Sequence, residues 1–218
     1  MQPFFSKESL DIQARKLLSE YGKKHSPFVE PPVDICAVTE TFLGLRLDYV
    51  DLEREYGEGI LGAINFEKKT VYVNTALDPV EHCGTEGRHN FTIAHEVGHW
   101  QLHRHEFLLP ENLSDRGSRP SILCRTAQKK EPREWQADQF ASYLLMPRPM
   151  VQQEWRERYG NRVLAVGDVD AFKRGDDLQA ALKDYYLLVK DFAQIFAVSG
   201  HAMRIRLVEL GLVCADAE

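Results

Sequence analysis

The sequence is short of the features that would place it outside an ordinary globular fold. It has no run of about 18 apolar residues, so no membrane-spanning helix is expected. The first stretch, MQPFFSKESLDIQARKLL, has no long apolar core and carries acidic residues early, which speaks against a secretory signal. Cysteine is scarce. Cys36, Cys83, Cys124 and Cys214 are scattered, with no Cys-x-x-Cys pair. The expectation is reduced thiols in a cytoplasmic protein. Positive charge is in deficit, with a formal net charge of −6. Broad charge-driven binding to nucleic acid or anionic membrane is therefore not expected, although a small basic face remains compatible. No internal repeat and no low-complexity segment interrupts the chain. What remains is 218 residues, 44% hydrophobic and 28% charged. That is enough for one good-sized domain or two small ones with a core that needs no staples.

Apolar periodicity divides the chain into elements. Leu10, Ala14, Leu17, Leu18 and Tyr21 recur at helical spacing, predicting a helix over 7–21 that ends at Gly22. VDICAVTETFLG predicts a short helix stopped at Gly44. LRLDYVDL, GILGAINF and TVYVNTAL then read as strands, the last two joined across EKK as a hairpin. The pattern turns helical from Thr85 to about His103. Residues 105–130, broken by Pro110, Gly117 and Pro120, read as a long loop. EPREWQADQFASYLLM and PMVQQEWRERY read as two further helices. The stretch after Gly160 is ambiguous, and LQAALKDYYLLVKDFAQIFAVSGHAMRIRLVELGL is helical with one break at Val198–Ser199–Gly200.

The chemistry gathers in FTIAHEVGHW, Phe91 to Trp100. At 3.6 residues per turn, His95 and His99 project from one helix face, one turn apart. Two imidazoles so placed can reach one metal ion. Glu96 is displaced around the helix. It is poorly placed as a ligand but able to reach a water on the metal, as a general base does. Two solvent-facing histidines on a helix are the bland alternative. Phe91, Ile93, Ala94 and Val97 argue against it, because they make the helix apolar over much of its surface and buried histidines need partners. Gly98 is expected to leave open space beside them.

A catalytic zinc site takes three protein ligands and one open position. His103 and His105 are near in sequence, but a further turn along the helix makes each a poor third ligand. Glu134, at the start of the helix in EWQADQFA, is the better candidate. Asp138 follows one turn later on the same face, placed to accept the free N–H of a ligand histidine. Taken alone, both acids could equally be first-turn residues favoured by the helix dipole.

IAHEVGHW, the pair Cys124–Arg125, EWQADQFASYLLMP and VSGHAMRIRLVELGL together resemble the ImmA/IrrE family of zinc metallopeptidases, in order over about residues 59–213. The resemblance implies an α+β, zincin-like core in which a small sheet packs on an active-site helix and a glutamate-bearing helix. It implies His95, His99 and Glu134 as zinc ligands and Glu96 as catalytic base. It also implies action in the bacterial cytoplasm on a protein substrate, a helix-turn-helix repressor whose cleavage releases genes of a mobile element or a stress response. The radiation-response members carry a sensory domain, and none is expected after this segment. The expected division is a metallopeptidase core with N-terminal helices over 1–158 and a helical, helix-turn-helix-like segment over 159–218.

In that last segment Ala202, Ile205 and Val208 are expected to pack the second helix, Ser199 to cap it, and Arg204 and Arg206 to be available to phosphate. With four basic and three acidic residues over 183–213, it is not a basic footprint, and nucleic acid is not the expected partner. Three smaller expectations complete the reading. Cys124 has two readings, an inhibitory thiolate blocking the open zinc position and, more plainly, a small buried hydrophobe. His103, His105 and Tyr143 are candidate second oxyanion donors. Two imidazoles and a carboxylate accept manganese or iron as well as zinc. The competing function is a regulatory protein that binds a repressor or DNA, with a purely structural metal.

Overall fold

The structure is a computed structural model that describes residues 5–108, 120, 122–125, 131–166 and 183–214. Its first helix, α1 (Lys7–Lys24), starts where Ser6 accepts a hydrogen bond from the Ser9 N–H, and buries Leu10, Ala14, Leu17 and Tyr21. It runs past the expected stop at Gly22. A Cβ on Gly22 would lie 3.0 Å from the Cβ of Pro27, so the glycine serves the returning chain rather than the helix end. A short helix α2 (Ile35–Ala37) continues as a wider π turn (Val38–Phe42) before Gly44 turns the chain with φ 65°.

Strands β1 (Arg46–Val50), β2 (Ile60–Asn65) and β3 (Thr70–Asn74) follow, with helix α3 (Leu52–Tyr56) between the first two. β2 and β3 form the expected antiparallel hairpin, with Gly62 opposite Val73 and Asn65 opposite Thr70. β1 runs parallel to β3. A fourth strand, β4 (Ile122–Arg125), lies within the stretch read as loop and pairs antiparallel with β2, so the order is β1-β3-β2-β4. Its four residues are too short for periodicity to register. What makes them a strand is the row of backbone donors and acceptors that β2 would otherwise leave open.

Helix α4 (Glu86–Phe107) packs on β2 and β3 and, on another side, against helix α5 (Pro132–Leu145), on which α1 also packs. Burial on several sides explains why α4 has no clean polar face: Thr92 to Trp100 are all buried. Helix α6 (Arg148–Tyr159) ends at Gly160, and the ambiguous stretch after it holds a two-residue strand, β5 (Leu164–Ala165). Its partner β6 (Val213–Cys214) follows helices α7 (Lys183–Ile195) and α8 (Gly200–Glu209). Ser199 caps α8, accepting from the Ala202 N–H at 3.1 Å.

The face that α8 buries differs from the expected one. Met203, Arg206 and Leu207 are buried, Ala202 and Val208 only partly so, and Ile205 is exposed. The helix is rotated because Arg206 finds partners inside. Its Nε donates to the Met146 carbonyl at 3.1 Å and its Nη1 to Glu209 at 3.0 Å, so it is not free for phosphate. Residues of α1, α4, α5, α7 and α8 belong to one apolar core cluster. Among the described residues no helix is long and apolar enough to cross a membrane.

Candidate metal centre

Two close approaches between elements position the polar residues of α4 and α5. A Cβ on Gly98 would lie 3.1 Å from the Cα and 3.2 Å from the carbonyl oxygen of Ala137. Gly98 therefore does not leave open space, as its lack of a side chain suggested. It lets α5 come against the histidine-bearing turn of α4. At the other end of the contact, Arg133 pairs with Glu106 at 2.9 Å. Between these two points Glu134 faces the two imidazoles.

His95 Nε2 and His99 Nε2 are 3.0 Å apart. Glu134 Oε2 lies 3.1 Å from the first, and its Oε1 lies 3.3 Å from the second. Four donors around zinc at about 2.0–2.1 Å in a tetrahedron sit roughly 3.3 Å apart, so the spacing suits such an ion. Hydrogen bonding points the same way. His95 Nδ1 is 3.0 Å from Asp138 Oδ1, and an ionised carboxylate only accepts, so Nδ1 carries the proton in the neutral ring. The His95 Nε2 lone pair then faces a carboxylate oxygen of Glu134. Two acceptors at that distance repel unless a cation lies between them.

The electrostatics follow from burial. Burial works to raise the Glu134 carboxyl, but the two imidazoles set against it outweigh burial and hold the group well below the usual carboxylate range. His99, wholly enclosed, is pushed down to about 4 by burial and so presents a neutral ring. Glu96 is pushed up to about 8, chiefly by burial, with the His95 ring opposing and the Glu134 charge adding. Among the described residues, neither carboxylate oxygen of Glu96 has a hydrogen-bond partner.

The other candidates fall elsewhere. His103 is buried, 3.0 Å from His99 Nδ1 and 3.2 Å from Gln136 Oε1. His105 is exposed on α4. Tyr143 commits its hydroxyl to Glu209 at 2.8 Å. The side chain of Cys124 lies outside the described residues, and its backbone pairs with Gly62. That glycine is a site residue the sequence did not flag. A Cβ there would lie 2.5 Å from Thr92 Cγ2 and 2.9 Å from Glu96 Oε1, so β2 passes the base closely only because residue 62 has no side chain. Gln136 was also missed. The third histidine at i+4 spacing, His103, was the one local signal of a further polar layer.

Beside this cluster a cavity of about 290 Å³ is lined by Leu61, Phe91, Thr92, Asp138, Ala202 and Ile205, among others. It brings α8 to the edge of the site. A Cβ on Gly87 would lie 2.6 Å from the backbone carbon of Val198, so α4 and the α7–α8 turn also meet through a missing side chain. Asn90 adds a hydrogen bond to the Ala197 carbonyl at 3.0 Å.

No curated protein matches the sequence. The IrrE N-terminal-like domain, a metallopeptidase family, matches residues 43–166, the segment that carries β1 to β5, the histidine helix and the glutamate helix. By that match over more than half of its length, the chain belongs to the family of IrrE N-terminal-like peptidase domains.

Proposed function

We propose that the chain is a zinc-dependent endopeptidase of the His-Glu-x-x-His type. His95, His99 and Glu134 are its metal ligands, Glu96 its catalytic base, and Asp138 the residue that orients His95. The observation that carries the reading is the convergence of two Nε2 atoms and a carboxylate, all within 4.8 Å of one another, beside the unpartnered carboxylate of Glu96. A divalent ion held there supplies Lewis-acid polarisation and lowers the pKa of water. Glu96 takes a proton onto its carboxylate and passes it to the leaving amine. Manganese is compatible with the same donors, although the order of intrinsic affinities favours zinc.

The substrate class is a protein, as membership of a peptidase family implies. We infer further that it is a helix-turn-helix transcriptional repressor in the cytoplasm, cut at one exposed segment, so that genes of a mobile element or a stress response are released. The resemblance of the four sequence blocks supports this narrower reading.

The first test is the metal content of purified protein, wild type beside Glu134→Ala. About one zinc per chain in the wild type, lost or much weakened in the variant, is expected for a three-ligand site. A metal-free wild type, or undiminished zinc in the variant, would overturn the ligand set. Glu96→Gln should keep zinc and lose cleavage. Biological function retained in that variant would instead favour a binding protein with a structural metal.

A further inference from the structure

The two imidazoles that meet at Glu134 have their outer nitrogens held in different ways. His95 Nδ1 faces a carboxylate, Asp138. His99 Nδ1 faces another imidazole, with His103 Nδ1 at 3.0 Å. His103 Nε2 in turn faces the amide oxygen of Gln136 at 3.2 Å. His99, His103 and Gln136 are 0%, 3% and 2% exposed, so water does not substitute for these bonds.

Proton counting gives this chain a direction. Two ring nitrogens this close need a cation between them, because two bare nitrogens repel and two N–H groups clash: on the reading of the site as a metal centre, the metal serves the Nε2 pair of His95 and His99, and one proton serves the Nδ1 pair of His99 and His103. At the far end, the Gln136 amide oxygen only accepts. His103 Nε2 must therefore carry a proton. A neutral His103 has one proton, so its Nδ1 is bare and accepts. The proton between the rings then belongs to His99 Nδ1, and a neutral His99 is left with a lone pair on Nε2, the atom facing His95 and Glu134. Both rings are enclosed, and enclosure away from water disfavours a charged imidazole. The opposite tautomer of His99 would put a proton where a metal ion would bind and set two bare nitrogens against each other.

We propose that His103 and Gln136 are positioning residues that lock His99 in its Nδ1–H tautomer and so keep Nε2 open to a divalent transition-metal ion. This rests on the reading of the site as a metal centre. The lock is made of neutral groups, whereas its counterpart on His95 is a carboxylate. One ligand thus gains added basicity from a charge, and the other is held by geometry alone.

The test is the zinc dissociation constant, measured by competition with a chromophoric chelator, beside the thermal midpoint of the metal-free protein. His103→Leu keeps bulk but removes the acceptor. His103→Asn can place an amide oxygen close to where Nδ1 stood. The leucine variant should bind zinc about 10- to 100-fold more weakly, the range found for lost outer-sphere partners, with the asparagine variant within a few-fold of wild type. Gln136→Leu should weaken zinc in the same direction. Wild-type zinc affinity in both leucine variants, or equal losses in His103→Leu and His103→Asn, would overturn the lock. Ring-nitrogen shifts of the zinc-loaded wild type supply a check that needs no variant. A protonated Nδ1 on His99 is expected, and a bare Nδ1 would refute the proposal. A wild type that binds no zinc would instead defeat the metal-centre reading on which the lock rests.

Discussion

Helix α5 carries a buried polar cluster at each end, and the two are built on opposite plans. At its C-terminal end Arg206 of α8 lies over the Tyr143 ring, 4.5 Å from the centroid, and reaches Met146, Glu209 and, at 3.6 Å, Asp11. Glu209 also accepts from Lys7 and from Tyr143, both at 2.8 Å. Asp11 also pairs with Arg15 at 2.9 Å, so three cations meet two carboxylates and the negative charge is matched within the protein. At the N-terminal end Glu134 meets two imidazoles, and Glu96 lies beside them with both oxygens unpartnered among the described residues. That cluster does not close. A cluster whose charges are matched by its own side chains, though Arg206 Nη2 and Asp11 Oδ1 make no hydrogen bond among the described residues, joins α1, α5 and α8, whereas one that needs a cation and a water marks chemistry.

Variants can set the two clusters against each other. The largest effect is expected from Glu96→Gln. Cleavage should fall by about 10²- to 10⁴-fold, the usual contribution of a general base, with zinc content and melting temperature held. A rate near wild type would remove Glu96 from the chemistry. Arg206→Ala should do the reverse. It leaves Glu209 and Asp11 without their buried cation and should destabilise the fold by roughly 3–5 kcal/mol in denaturant titration, while zinc affinity stays within a few-fold. Loss of zinc affinity with stability intact would show that the clusters are not separate.

Metal removal should draw the same line. Zinc at about 1,000 times its dissociation constant should stabilise the wild type by roughly 4 kcal/mol over the chelated protein. The Arg206 variant should gain as much and Glu134→Ala almost nothing. Gly62→Ala is expected next in size. The added carbon presses on Thr92 and Glu96, so roughly 1–3 kcal/mol of stability and part of the activity should go, with zinc still bound. Equal activity in that variant would mean that the base does not need the close passage of β2.

The smallest effect is a pH dependence at the closed cluster. Burial works to raise the Glu209 carboxyl, but Lys7, Tyr143 and Arg206 together hold it below its ordinary value. A group depressed in the folded state stabilises fully above its unfolded pKa, about 4.3 for glutamate, and loses that contribution as pH falls through the folded value. The stability difference between wild type and Glu209→Gln should therefore be level near neutrality and narrow only below roughly pH 5. A difference that widens on acidification would reverse the sign assigned here.

The legible parts of the molecule were those whose geometry is local. The β2–β3 hairpin followed from two β-rich runs and a polar turn, and the Ser199 cap from a hydroxyl before a helical run. β4 was illegible because its strand character comes from β2, some sixty residues earlier. The buried face of α8 was misread because arginine counts as polar in any periodicity, although here it is among the most enclosed side chains of the helix. Gly62 and Gly98 carried no signal beyond their identity, since what a missing side chain admits depends on the element that arrives opposite.

The sequence by itself determined that His95, His99 and His103 share one face of a helix, because 3.6 residues per turn sets that without any partner. Only the tertiary structure decided which nitrogen of each ring points where. That depends on Glu134, Gln136 and Asp138 arriving from α5, more than thirty residues along the chain. Tautomers and ligand sets are settled by hydrogen bonds between elements, and those exist only once α4 and α5 have packed.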